Sequence, residues 1–395
     1  MDSITAELQH RLDPANISRW AFELVAIPSP TGDSQAAAAY YADRLRELGI
    51  EAQLDAEIPG SPSVIAYVNG VHPGPTLELA GHLDVIPVEQ AAPRVEDGVL
   101  YGRGACDMKG PLAAVLEVVR LLSAVRERMH GRLMVCAYGL HEAPVGRGQS
   151  LLRLVERGGV GDAVICVEGP LDTLAITGRG MSTYEIRIEG TEDPCHELRA
   201  TAETPHPLLI GLDVAAMLRA WNDELQAGPA LPYVETESLF IGQFESGDFY
   251  NRVPAQCRLV GTRRYAPHRR FAEVQAEFDR RLDPIRRTAA VSIRLNLTKT
   301  RDGFRTAEDA PVAQALREAY REVTGEPLPV AAFAAVGDAS IFANEGGLPA
   351  VYYGCGLERA HATPEYVPLA SLALQARVLT GAAARYLGIA QPVVG

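Results

Sequence analysis

The chain lacks a C-x-x-C pair, a concentrated basic patch, an apolar run of membrane-spanning length and any internal repeat or low-complexity tract. Each absence removes a class of protein. The six cysteines (Cys106, Cys136, Cys166, Cys195, Cys257 and Cys355) lie far apart, which argues against a zinc knuckle or a thiol redox motif. Cys136 and Cys166 sit inside apolar runs, as small buried hydrophobes do, and a reducing, cytoplasmic setting is expected. Lys and Arg number 37 against 50 Asp and Glu, a formal charge of −13 that repels phosphate backbones and anionic membranes. The densest basic pairs, Arg263-Arg264 and Arg269-Arg270, read as solvated or ligand-facing side chains, so neither nucleic acid nor a membrane is expected as partner. The segment from Met1 to Glu7 has no basic stretch leading into an apolar one, so export is not expected either.

What is present is a folded composition, 47% hydrophobic and 22% charged, spread over 395 residues. That length exceeds what one core usually supports. Helical periodicity over Pro14 to Ile27 and Ser34 to Leu48 precedes strand-like runs at Val64 to Val68, Thr76 to Leu79, Leu133 to Tyr138 and Ala163 to Val167. The later runs are apolar enough to be buried on both faces, and a helix opening at Gly110-Pro111 lies between them. This is α/β order. Near residue 178 the pattern changes, because Thr183 to Ile188 alternates polar with apolar like a half-exposed antiparallel strand. Two helical runs (Leu208 to Leu225, Pro267 to Leu282) and strands near 237–241, 257–262 and 291–297 follow. After Lys299 the α/β alternation resumes. The expectation is a catalytic domain over residues 1–177 and 299–395, interrupted by an inserted α+β domain over residues 178–298.

Several acids and histidines stand at ends of these elements. His82 and Asp84 lie two apart at the end of an apolar strand, so both point to one side, and Asp84 is placed to hold the imidazole while His82 offers its other nitrogen to a metal. Asp107 follows a glycine-rich turn, Tyr101 to Gly110, just before a helix. Glu142 and Glu168 each follow an apolar strand, and carboxylates at consecutive strand ends converge on one edge of an open α/β sheet. His361 stands after a Gly-Cys-Gly turn at 354–356. Taken singly, each has a plain structural reading as a strand end, a helix cap or a core histidine; together they point to a metal centre.

In this combination the sequence resembles the M20 metallopeptidase family, which includes acetylornithine deacetylases, succinyl-diaminopimelate desuccinylases, aminoacylases and glutamate carboxypeptidases. The resemblance rests on Gly81-His82-Leu83-Asp84, Gly102 through Gly110, Val167-Glu168-Gly169-Pro170, Gly337-Asp338-Ala339 and His361 through Glu365, in that order over nearly the full chain. It implies a zinc-exopeptidase-like α/β catalytic domain with an inserted lid or dimerisation domain, and a homodimer. It also implies one metal at His82, Asp107 and Glu168, and a second at Asp107, a glutamate and His361, with Glu142 as general base and Asp84 supporting His82. Zinc suits such ligands, with cobalt or manganese as alternatives. The resemblance further places Arg264, Asn251, His196 and Arg179 as substrate-binding residues, with His206 competing with His196 for the role of reaching the site.

One departure stands out. The family's Asp-Glu-Glu triplet appears as His141-Glu142-Ala143, which sets Ala143 where a ligand carboxylate belongs. Three readings follow: a single tight metal at His82, Asp107 and Glu168; His141 as a substitute ligand; or a register shift that makes Glu142 the ligand and His141 the base. The function expected is metal-dependent hydrolysis of the amide bond of a small N-acyl amino acid or related carboxylated substrate. The alternative is a degenerate or repurposed member that binds a ligand or partner, or catalyses a non-hydrolytic reaction.

Overall fold

Strand His72–His82 carries the apolar run Leu77, Leu79 and Ala80, and in the computed structural model, which describes residues 4–389, it lies in the interior of a large mixed sheet. It pairs in parallel with His130–Tyr138 on one side and Ala163–Cys166 on the other. Ala350–Tyr352 continues the parallel set beside Ala163–Cys166, whereas Ser63–Asn69 and Ala52–Asp55 extend the other edge antiparallel. A strand flanked by partners and covered on both faces has no solvent side, which is why residues 76–82 are all buried and show no alternation. Helix Lys109–Ser123 is buried along nearly its whole length, with Pro111 in its first turn, where the missing N–H costs nothing.

The chain forms two units. The first comprises Met1–Thr177, Arg305–Phe333 and Gly337–Gly395; the second comprises Gly178–Phe304 and Ala334–Val336. The expected break before residue 299 falls inside a strand, because Val291–Arg301 stays paired with Gly180–Gly190 as far as Arg301. In the second unit four antiparallel strands run in the order Ser238–Ser246, Gln256–Tyr265, Gly180–Gly190, Val291–Arg301. Tyr184, Ile186 and Ile188 on alternate positions pack with Val214, Leu218 and Trp221 of helix Pro207–Gln226 and with Phe278 of helix Phe271–Thr288, while Glu185 and Arg187 face out. No helix among the described residues is long and apolar enough to cross a membrane.

The interior strand also buries an acid. Glu78 accepts the Gly161 N–H at 2.8 Å, and burial pushes its carboxyl up from 4.5 to about 8. A raised acid favours its neutral form in the fold, so the stability it contributes is complete below about 4.5 and is lost as pH rises through about 8. At about 1.4 kcal/mol per pKa unit this amounts to a few kcal/mol. Glu78→Gln is expected to remove that loss: melting temperatures of the two proteins diverge, with wild type falling further, as pH goes from 5 to 9. A gap that does not change with pH means that Glu78 is ionised in the fold.

Candidate metal centre

Parallel strands present their carboxyl ends at one sheet edge, and three of them supply the cluster in the first unit. His82 ends its strand, Glu142 follows Tyr138 by four residues, and Glu168 follows Cys166 by two. Asp107 arrives from the turn ahead of helix Lys109–Ser123, where Gly104 takes φ +88°, a conformation open to glycine at little cost. His82, Asp84, Asp107, Glu142 and Glu168 are all buried.

Asp107 sits between two imidazoles. Its Oδ1 lies 3.1 Å from His82 Nε2 and its Oδ2 lies 3.4 Å from His361 Nε2. Despite the close approach, His82 Nε2 and Asp107 Oδ1 do not meet at a hydrogen-bonding angle, and both remain buried without a hydrogen-bond partner. Orphaned polar atoms in a buried site are costly unless something else satisfies them. Ligand atoms of His82, Asp107 and Glu142 lie within 4.8 Å of one another, and so do those of His82, His141 and Glu168. Imidazole nitrogen and carboxylate oxygen in such groups fit a divalent transition metal.

Asp84 does something other than the expected task. The His82 Nδ1–H donates to the Asp84 backbone carbonyl at 2.8 Å, while the Asp84 carboxylate stands 3.8 Å from that nitrogen. Two residues on one side of a strand end let the carbonyl reach the ring first. The carboxylate instead accepts the backbone N–H groups of His141 (3.1 and 3.2 Å) and Glu142 (2.9 Å), fixing the turn that carries both. Glu142 Oε1 accepts from His361 Nε2 at 3.0 Å. His361 therefore has a carboxylate neighbour in Glu142. His141 stacks on His82, ring centroids 4.0 Å apart and planes 1° from parallel, and its Nδ1–H donates to Asp338 Oδ2 at 2.6 Å.

The electrostatics are those of a site short of positive charge. Burial pushes Glu168 up to about 7, with the charge of Asp107 adding to it. For Asp107 burial acts the same way but is outweighed by the neighbouring imidazoles of His361 and His82, which hold its carboxyl well below the usual range. Hydrogen bonds to Asp107 and Glu142 raise His361 to about 10. Five carboxylates (Asp84, Asp107, Glu142, Glu168 and Asp338) share this space with three histidines.

Two acids escaped the sequence reading. Glu365, 1% exposed, accepts the backbone N–H groups of Cys106 (3.1 Å) and Asp107 (3.2 Å) through Oε1 and pairs with Arg103 at 2.8 Å through Oε2. It stands four residues after His361 and so ties the histidine's segment to the Asp107 turn. Asp338 is the other. Both lie in segments that carry the family resemblance, and that was the signal available.

The remaining predicted residues belong to the second unit. His196 Nδ1 accepts the Leu198 N–H, and its Nε2 lies 3.1 Å from Asn251 Nδ2. His206 precedes helix Pro207–Gln226, its Nδ1 buried and without a hydrogen-bond partner. Arg263 is wholly buried and pairs with Glu237 and Glu277. Arg264, next in the strand, keeps a buried Nη1 without a hydrogen-bond partner, and burial and the charge of Arg179 lower its pKa. Arg179 donates to the Thr236 carbonyl at 2.8 Å.

A mixed α/β sheet with buried imidazoles and carboxylates at the ends of its parallel strands has the make-up of a metal centre. Solved structures share this fold: an M20 family metallo-carboxypeptidase from Sulfolobus solfataricus (TM-score 0.75, 19% identity, covering 94% of this chain and 99% of that one) and a dinuclear metal binding peptidase of the M20 family from Bacillus subtilis (TM-score 0.71, 17% identity, 98% and 100%). A succinyl-diaminopimelate desuccinylase from Methylobacterium sp. (strain 4-46) is 30% identical over 368 residues, 88% of this chain and 90% of its own length. The sequence model of peptidase family M20/M25/M40 matches residues 79–385. The chain belongs to that family.

If Glu365 fixes the Asp107 turn, Glu365→Ala loosens Asp107 and weakens any metal that Asp107 helps to hold. We expect metal affinity to fall about 10- to 100-fold, the usual cost of removing a group that orients a ligand, with the fold retained by circular dichroism. Competition against a chromophoric chelator reads it; unchanged affinity would show that Arg103 and the turn hold Asp107 unaided.

Proposed function

We propose that the protein is a zinc-dependent deacylase that hydrolyses the amide bond of small N-acyl amino acids. The carrying observation is Asp107, whose two oxygens each face a histidine. Such a carboxylate could be shared by two metal ions, with His82 and Glu168 as the residues that would help hold one and Glu142 and His361 those that would help hold the other. A divalent metal there supplies Lewis acidity, polarising a carbonyl oxygen and making water more acidic. His82 is fixed through its Nδ1–H to the Asp84 carbonyl, so Nε2 presents its lone pair to the cluster. Asp84 holds the His141-Glu142 turn at a set distance from it.

In the second unit Arg264 takes the substrate's carboxylate, with Arg179 adding positive charge and Asn251 and His196 supplying polar contacts. Its unpartnered Nη1 supports this reading, since a guanidinium with open donors matches a carboxylate in fork geometry. The name of the Methylobacterium relative supports an acyl amino acid of the N-succinyl type. The composition supports a cytoplasmic enzyme. Exposed Leu209 and Leu212 on one helix, with Phe240 and Phe244 on the edge strand, support a homodimer through the second unit. The alternative of a diverted family member rested on Ala143 occupying a ligand's place, and Glu142 beside His361 removes that ground.

The test is a panel of N-succinyl, N-acetyl and N-formyl amino acids assayed before and after chelation. We expect metal-dependent release of free amine, lost on chelation and restored by zinc, with about two ions per chain by elemental analysis. Turnover indifferent to chelation would refute it. Arg264→Ala is expected to raise KM by about tenfold or more with a smaller change in kcat, and Arg264→Lys to recover little of it, because a point charge does not replace a fork.

A further inference from the structure

A cavity of about 320 Å³ lies beside the Asp107 turn, with Cys106 in its wall and none of the clustered histidines and acids among the residues that line it. Its lining comes entirely from the first unit. Leu171, Tyr366 and Val367 give it apolar walls, and four polar side chains, Arg359, Asp172, Glu358 and Ser371, stand around the same space. Apolar walls with a few convergent polar groups are the make-up of small-molecule sites. Here those groups are largely uncommitted. Arg359 donates through Nη2 to the Pro364 carbonyl at 3.0 Å and lies over the Tyr366 ring, 4.9 Å from its centroid, but its Nε is buried without a hydrogen-bond partner. Asp172, Glu358 and Ser371 enter no side-chain hydrogen bond or ion pair among the described residues. A Cβ on Gly356 would come 2.6 Å from Glu358 Oε2, so that carboxylate lies folded over Gly356 in the cavity lining.

One cation and two anions around an apolar hollow match a zwitterion. Arg359 suits an α-carboxylate, Asp172 and Glu358 suit an α-ammonium, and the walls suit an aliphatic side chain. A hydrocarbon would desolvate the three charges without compensation, and a dianion would meet two carboxylates of its own sign. An N-acyl amino acid matches poorly too, because its nitrogen is an uncharged amide that gives the two acids no counter-charge. The set therefore tells a free amino acid from its acylated precursor. The cavity also abuts the support of the metal centre. Cys106 precedes Asp107, and Tyr366 follows Glu365, whose Oε1 accepts the N–H groups of Cys106 and Asp107 at 3.1 and 3.2 Å. Cys355, also in the lining, has its Sγ 3.6 Å from the Cys106 carbonyl. The two bonds to Glu365 already sit at the long side of the hydrogen-bonding range, so a shift of either wall weakens the hold on Asp107.

We propose that this cavity binds a free apolar α-amino acid, the product of the reaction, and that its occupancy slows the enzyme. That the amino acid is the product rests on the deacylase reading above; the binding itself does not. Arg359 takes the carboxylate, Asp172 and Glu358 take the ammonium, and Leu171, Tyr366 and Val367 enclose the side chain. The ligand then bears on the two segments, 106–107 and 365–366, whose contact fixes Asp107. The effect is on turnover and not on substrate affinity, because neither the guanidinium nor the acids of the cavity belong to the groups assigned to the substrate.

The experiment titrates L-leucine and N-acetyl-L-leucine calorimetrically into the metal-loaded full chain carrying Arg264→Ala, which removes the grip assigned to the substrate's carboxylate. Leucine is expected to bind at a single site and the acetylated form about tenfold more weakly or worse. Adding Asp172→Asn with Glu358→Gln, or Arg359→Gln, is expected to weaken leucine about tenfold or more, the scale of a lost charged hydrogen bond. In kinetics with the best substrate of the panel above, leucine is expected to lower the wild-type kcat with KM unchanged. The double acid variant is expected to keep the basal kcat and KM and to lose that response. No leucine binding, equal binding of the two compounds, or binding indifferent to both sets of substitutions overturns the proposal. So does inhibition that raises KM alone, which puts leucine at the substrate site, or a bound leucine that leaves kcat unchanged. Should Arg359→Gln fail to fold, the exposed acids decide. A wild type that turns over no N-acyl amino acid sinks the deacylase reading instead, while calorimetry, which needs no turnover, still reads the cavity.

Discussion

Asp107 is a buried carboxylate whose two oxygens face two histidines from different parts of the chain, and most of the first unit can be understood as the means of putting it there. The parallel strands align their carboxyl ends, the helix that begins at Lys109 anchors the turn from one side, and Glu365 grips the backbone of residues 106 and 107 from the other. Concentrating five carboxylates in one buried space is unfavourable in itself, because each desolvated charge raises the cost of the next. The direction of the Glu168 shift records that cost. A fold that keeps such a cluster has to offset it with hydrogen bonds from fixed donors or with a cation, and the orphaned atoms of His82 and Asp107 fit a cation beside them.

The fold was largely legible because its signals are local. Long periodic helices and apolar strands announce themselves, and the change from doubly buried to alternating strands near residue 178 marks where one sheet gives way to the other. Short elements were not legible. Gln149–Glu156 and Ala339–Asn344 have too few turns to show a period, and the three-stranded ribbon of Arg94–Glu96, Val99–Tyr101 and Tyr366–Pro368 joins segments more than 260 residues apart. The later domain break was misplaced for a related reason: residues 299–301 are polar, but backbone pairing continues regardless of side-chain character.

At the site, residue types and order could be read, but partners could not. The His82–Asp84 spacing correctly puts both on one side, yet it cannot say whether carbonyl or carboxylate reaches the ring. Setting His141-Glu142-Ala143 against the family's triplet puts Ala143 in a ligand's place, but it cannot show that the Asp84 carboxylate, by gripping the N–H groups of residues 141 and 142, turns Glu142 toward His361. The same limit applies to Arg263 and Arg264. Strand alternation predicts opposite faces, but only tertiary packing shows that Arg263 is the one enclosed by Glu237, Glu277 and Trp221. The guanidinium held in that ion-pair network is structural, and the neighbour left with open donors is the one free to meet an anion.

Position 141 shows how much one substitution depends on its second neighbour. A histidine set among carboxylates without a fixed partner could protonate and become one more counter-charge, with neither tautomer nor direction defined. Asp338 fixes the direction by accepting from Nδ1, and although burial opposes it, the charge and hydrogen bond of Asp338 raise His141 to about 9 and favour the imidazolium. The ring also stacks on His82, with centroids 4.0 Å apart and planes 1° from parallel. The direction of the histidine that stands one residue before Glu142 is therefore set by an acid nearly 200 residues later in the chain.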